Sequence, residues 1–294
     1  REDICRVVIM TNVTSITKNL ERVIPRMIDT RTVSELTSRR TFFGVSTLLF
    51  AASAVVTIVW CRSMSAMGGM PMPGGWSMSI AWIRMCGQTW PRAAAAFIGM
   101  WVVMTVAMML PSLVPVLWRY RQAVGRTGEA PLGRLTVLVG VGYFFVWTVF
   151  GVAVFALGVA LALALMHLPA LARAVPVAVG GVVVIAGALQ FTAWKAHHLV
   201  CCRKAPGRGR ALPADTGTAW RLGLRLGLHC STCCVGLTAV LLVTGVMDLR
   251  VMAVVTAAIT AERLAPAGKR VARATGAVLI GAGLLLMAQA AGLG

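Results

Sequence analysis

Five of the eight cysteines and three of the four histidines in this 294-residue chain fall between His197 and Cys234. They come in two short runs, KAHHLVCCRK over 195–204 and LGLHCSTCC over 226–234. Thiols and imidazoles at such density are ligands for soft or borderline metal ions, or partners in thiol redox chemistry. If both runs are helical, His198 and Cys202 share a face at i,i+4, Cys230 and Cys233 share one at i,i+3, and His229 joins Cys233 at i,i+4. His198, Cys202, Cys230 and Cys233 therefore form a candidate ligand set, with His229 and Cys234 as neighbouring donors. Four such groups from two helix ends suit Zn(II), Cu(I) or an iron–sulfur centre. A single cysteine here would read as a small packing residue or a palmitoylation site. A cluster of this density reads as chemistry.

Methionines make a second concentration of soft donors. Met64, Met67, Met70 and Met72, followed by Met78 and Met85, crowd the Gly/Pro-rich stretch around MSAMGGMPMPGGWSMS. Thioethers are neutral, favour Cu(I) over zinc, and stay competent where thiols would be oxidised. The first four of these methionines are the candidate metal ligands of the loop. Trp76, Trp82 and Trp90 lie in the same region, as in an aromatic belt at a membrane interface. Beyond it, Met100, Met104 and Met108 repeat at i,i+4,i+8 with Met109 beside them. Such a stripe usually packs a core, yet this one lies between the methionine loop and the cysteine runs. Pro111 and Pro115 are expected to kink or end its helix. Among the few polar residues of apolar segments are Gln190 and Glu262, and Glu262 next to Arg263 reads as an ion pair at a helix end.

The elements that must position these groups are transmembrane helices. Hydrophobic residues make up 58% of the chain and charged ones 13%, which is too apolar for a soluble domain. Apolar runs near 42–61, 94–114, 135–166, 173–194, 222–247, 251–267 and 271–291 predict an all-α polytopic bundle of about seven spans. Six is the alternative, because the run 251–267 is short. The net charge of +19 gathers in connections rather than on a basic face with aromatics, which excludes a nucleic-acid partner. Seven spans with a cytoplasmic N-terminus put every basic cluster on the cytoplasmic side. That topology sets the loop 62–92 outside and the basic loop 195–221 inside, in a bacterial cytoplasmic membrane. Residues 1–40 are a polar tail ahead of a membrane domain over 41–294. Residues 1–26 carry no apolar face, so a chain starting at Met27 is expected to insert normally. The cysteines do not form a disulfide framework.

Taken in order, GMWVVMTVAMMLPSLVP, GYFFVW, ALQFTAWKAHHLVCCR, CSTCC, GVMDLRVM and AERLAPAGKRVARATG make the chain resemble a bacterial family of integral membrane proteins described as metal-binding, of unassigned reaction. The resemblance covers about residues 42–291. The family pattern has a lysine, two cysteines with three residues between them, and then Cys-x-Gly-Cys-Cys on the next helix. Lys195, Cys202, Cys230, Cys233 and Cys234 match it, while His198 stands for the first cysteine and Thr232 for the glycine. The resemblance implies a metal site on these residues, and the histidine is a conservative replacement for such a ligand.

The reading that unites these features is a membrane protein that binds a soft metal, copper before zinc or iron–sulfur, for transport or for delivery to a membrane or periplasmic partner. A membrane oxidoreductase subunit using a Cys/His-held metal or a Cys230–Cys233 thiol pair is one rival. A structural or assembly subunit of a membrane complex is the other.

Overall fold

The computed structural model describes residues 36–66, 68–79, 82, 84, 87–125, 132–203 and 215–292. The polar tail 1–35, together with Met67, Met85 and Cys86, lies outside them. The chain divides into compact units at Arg1–Leu49 and Phe50–Gly294. Helix α1 covers Leu36–Ala66, so helix starts inside the expected tail and includes Met64. A hairpin of β1 (Gly69–Met72) and β2 (Trp76–Ser79) follows, and then α2 (Trp90–Gly125), α3 (Leu132–His167), α4 (Pro169–Leu189), α5 (Ala193–Arg203), α6 (Thr216–Gly245), α7 (Leu249–Leu264) and α8 (Gly268–Ala290).

The apolar runs explain these helices, and so does the inside-out surface. Along α3, Val137, Val141, Phe145, Val149 and Val152 are all exposed, and along α8 so are Val278, Leu284 and Leu285. Water would penalise such faces, whereas hydrocarbon does not. Among the described residues six helices (α1, α2, α3, α4, α6 and α8) are long and apolar enough to cross a membrane. The expected seventh span is α7, of 16 residues, or about 24 Å of helix, short of the ~30 Å hydrocarbon thickness. It still returns the chain. Glycine contacts give the helix directions: Gly180 packs on Gly283 and Gly187 on Gly276, so α4 and α8 are antiparallel. A Cβ at Gly187 would sit 2.8 Å from the Gly276 carbonyl oxygen, so this close approach needs glycine. By the same test Gly223 and Gly227 pack on the Gly142 and Val146 region, making α3 and α6 parallel.

Two helix-end expectations change, since the prolines of α2 do not end it and the fourth span is cut. Pro111 and Pro115 both lie inside α2, which continues to Gly125. A proline deletes one backbone donor, and here packing on α3 and α7 carries the helix through. The expected fourth span is instead cut, with α4 ending at Leu189 and α5 starting at Ala193. Between them, Phe191 and Thr192 N–H donate to the Ala188 and Leu189 carbonyls in a tightened last turn. That break re-aims the chain so that α5 packs on α6.

A candidate sulfur-rich metal centre

The site is built from one residue level of five helices. On α6, Cys230, Cys233 and Cys234 face inward and are fully buried, as is Cys202 on α5. The sulfurs touch in series. Cys202 is hydrogen-bonded to Cys233, Cys233 to Cys234, and the Cys234 and Cys230 sulfurs are 3.9 Å apart. Cys230 Sγ then meets the Met109 sulfur of α2 at 4.0 Å. Five sulfurs from three helices thus form a continuous row. It is a row and not a cage: among the described residues, no three His, Cys, Asp or Glu side chains converge on one point to hold an ion. Adjacent sulfurs are soft donors, of the kind that soft ions such as Cu(I) prefer.

Polar groups around the row are arranged by charge. The Tyr143 hydroxyl of α3 donates to Cys230 Sγ at 2.9 Å. Arg263 of α7 donates through Nη1 to Cys230 Sγ at 3.1 Å and to Ser112 Oγ at 2.8 Å. Ser112 in turn donates to the Met109 carbonyl. Lys195 Nζ reaches the Cys233 carbonyl at 2.7 Å and the Glu262 carboxylate, also at 2.7 Å. Glu262 is therefore paired with Lys195 across two helices, and Arg263 with the sulfur, instead of with each other. Neighbours on a helix point about 100° apart, so one faces α5 and the other α2 and α6. The expectation of a Glu262–Arg263 end pair is thereby corrected.

The histidines form a different patch. His198 Nδ1 is 3.2 Å from Thr232 Oγ1, and its ring lies 5.8 Å from that of His229 and 4.7 Å from that of Trp194. His197 lies beside it and contacts Cys201 at 3.7 Å on the outer face of α5. Burial, then the neighbouring His229 and His197 rings, holds the His198 imidazole below its ordinary range. In the described structure His198 and His229 meet each other and Thr232, while Cys202, Cys230, Cys233 and Cys234 meet one another.

The methionine segment is more ordered than a loop. Met70 pairs with Met78 across the hairpin, and Met72 with Trp76. Met78 is buried, Met64 and Met72 are half-buried, and Met70 is exposed. Trp76 Nε1 donates to the Ala172 carbonyl near the start of α4, at 2.9 Å, and the ring of Trp82 packs on Phe97 of α2. The hairpin thus lies at the opposite end of α4 from Lys195, about 30 Å of helix away. Between the two ends, Met100, Met104, Met108 and Met109 of α2 are all buried.

Sequence reading missed Tyr143, Ser112 and the sulfur-facing role of Arg263. Their signal was faint: single polar residues in apolar helices, each waiting for a partner distant in sequence. The family model of the copper chaperone family PpoB2 matches residues 98–286, more than half the chain. The protein belongs to that family of copper chaperones. The matched region runs from the methionine stripe of α2 to α8 and contains every residue of the sulfur row. No curated protein and no solved structure matches the chain.

Proposed function

We propose that this protein is a membrane-embedded copper(I) chaperone that collects the ion at its methionine hairpin and holds it on the cysteine row for delivery to a partner protein. The contact between Met109 and Cys230 carries this reading. It sets one of the buried methionines of α2 against a thiol of α6, so an ion leaving that thioether has a thiol within reach. Met64, Met70 and Met72 are the described donors at the hairpin end. Neutral thioethers bind Cu(I) loosely enough to pass it on, and thiols hold it more tightly. The ranking gives the path a direction, from hairpin to cysteines. In the bilayer the positive-inside rule sets the hairpin outside and the α5–α6 end in the cytoplasm.

The four cysteines Cys202, Cys230, Cys233 and Cys234 hold the ion, and the half-exposed histidines lie at the mouth through which a partner reaches it. The test is copper content. Full-length protein purified in detergent from copper-fed cells should retain copper, and a variant with all four cysteines changed to serine should retain none. Equal copper in the two proteins overturns the proposal. An absorption spectrum that changes on reduction, with no copper bound, would favour the thiol-redox alternative.

A further inference from the structure

Among the described residues, the charges around the sulfur row leave one cation over. Of nine acidic residues in the chain, the described structure contains Asp215, Asp248 and Glu262. All three are committed elsewhere. Asp215 caps α6, accepting from the Thr218 N–H, and Asp248 caps α7, accepting from the Arg250 and Val251 N–H groups. Glu262 holds Lys195. Arg263 is buried, 6% exposed, and among the described residues its side-chain partners are Ser112, Tyr143 and Cys230. None is a carboxylate. A guanidinium taken out of water without an anion is costly, because it stays charged under all ordinary conditions. The strand of chemistry it touches is a thiol, and a thiol bound to a metal is an anion.

We infer that Arg263 is the built-in counter-ion of the copper complex and sets the pocket's preference for a monovalent over a divalent ion. The inference rests on the reading of the cysteine row as the copper site. On any given set of thiolates, a complex of Cu(I) is one unit more negative than that of a divalent ion. A fixed positive charge beside Cys230 favours the more negative complex. The Lys195–Glu262 pair is neutral as a unit, so among the described residues Arg263 supplies the bias. Tyr143 and Ser112 fix the guanidinium in place and add no charge, and the N–H to sulfur bond aims it at the ligand atom. Arg263 is thus a positioning and specificity residue, acting through Cys230 and not on the ion itself.

The experiment compares Ag(I) with Cd(II), soft ions with the same electron count and different charge, on full-length protein in detergent. Replacing Arg263 with methionine should lower the Ag(I)-to-Cd(II) affinity ratio roughly tenfold or more, while Arg263→Lys should keep it. Glu262→Gln removes a negative charge and should raise the ratio, so it decides the matter if Arg263→Met does not accumulate. A purely structural role for Arg263 would weaken both ions alike. Equal losses for Ag(I) and Cd(II) in Arg263→Met, or an unmoved ratio in Glu262→Gln, overturn the inference. If instead the parent protein binds neither ion through its cysteines, the copper reading itself fails.

Discussion

The cysteines and histidines of 197–234 are interleaved in sequence, yet the fold separates them. The thiols of Cys202, Cys230, Cys233 and Cys234 face the bundle axis, are buried, and have a tyrosine, a lysine and an arginine around them. The imidazoles of His198 and His229 lie on the α5–α6 flank, half-buried, with Thr232 between them. The difference lies in what holds each group. Cys202, Cys230 and Cys233 each have a partner on another helix, whereas the histidine patch rests on two adjacent elements. A preorganised site needs the first kind of support. Under the proposed function the thiols would hold the ion and the histidines would lie at its entrance.

The strongest way to break this division is at Cys230, whose sulfur touches both Cys234 and Met109. Cys230→Ser should reduce copper retention by roughly a hundredfold or more, beyond what loss of a supporting group costs, as read by competition with a Cu(I) chelator. Retention within a few-fold of the parent would remove Cys230 from the centre. Next in size is the support from charge. Lys195→Met strands the Glu262 carboxylate inside the bundle and should cost about 3–5 kcal/mol, seen as a large drop in melting temperature in detergent. Changing Glu262 to glutamine in the same protein should recover most of it. A Lys195→Met protein as stable as the parent would show that the pair contributes nothing.

A smaller effect tests the packing under the site. Gly187→Val forces a side chain against the Gly276 backbone, and overpacking of this kind costs about 1–3 kcal/mol. Thermal stability should fall while the copper count per molecule holds. His198→Ala sharpens the comparison from the other side. It removes one hydrogen bond, worth about 1 kcal/mol, and should leave copper stoichiometry unchanged. A lost equivalent of copper would make the two clusters one site, with His198 as the ligand that its place in the sequence pattern suggests. Least of all is a pH effect. Because His198 is held below its ordinary range, the unfolded chain binds its proton first, so stability should decline as pH falls below about 6.5. The decline should be shallower in His198→Ala, and identical pH profiles would speak against it.

Much of this was legible in the residues themselves. Runs of apolar residues dictate helices of span length, because a chain in hydrocarbon must satisfy its backbone internally. The spacing of Cys230 and Cys233 put them on one face, as that of His198 and Cys202 did, and Lys195 was singled out by the family resemblance. Helix ends were less legible. The break at Gln190–Thr192 and the passage of α2 through two prolines depend on what packs beside them, and no local signal encodes that. The methionine hairpin was unreadable for a related reason: its strands are four residues each and gain their hold from Trp76 reaching α4.

Composition and periodicity determined that this chain is a helical bundle fit for a membrane, with soft donors concentrated at two places. Those are properties of residue type and of spacing along one helix, and both are written in the chain. Only the tertiary structure decided which donors meet. Whether His198 or Met109 stands next to Cys230 turns on the rotation of α5 and α2 against α6, and for α5 that rotation follows the break between α4 and α5. It also decided that Glu262 faces Lys195 while Arg263, one residue on, is left to the sulfur. Charge balance in a buried site is a sum over groups distant in sequence, so it exists only once the helices have packed.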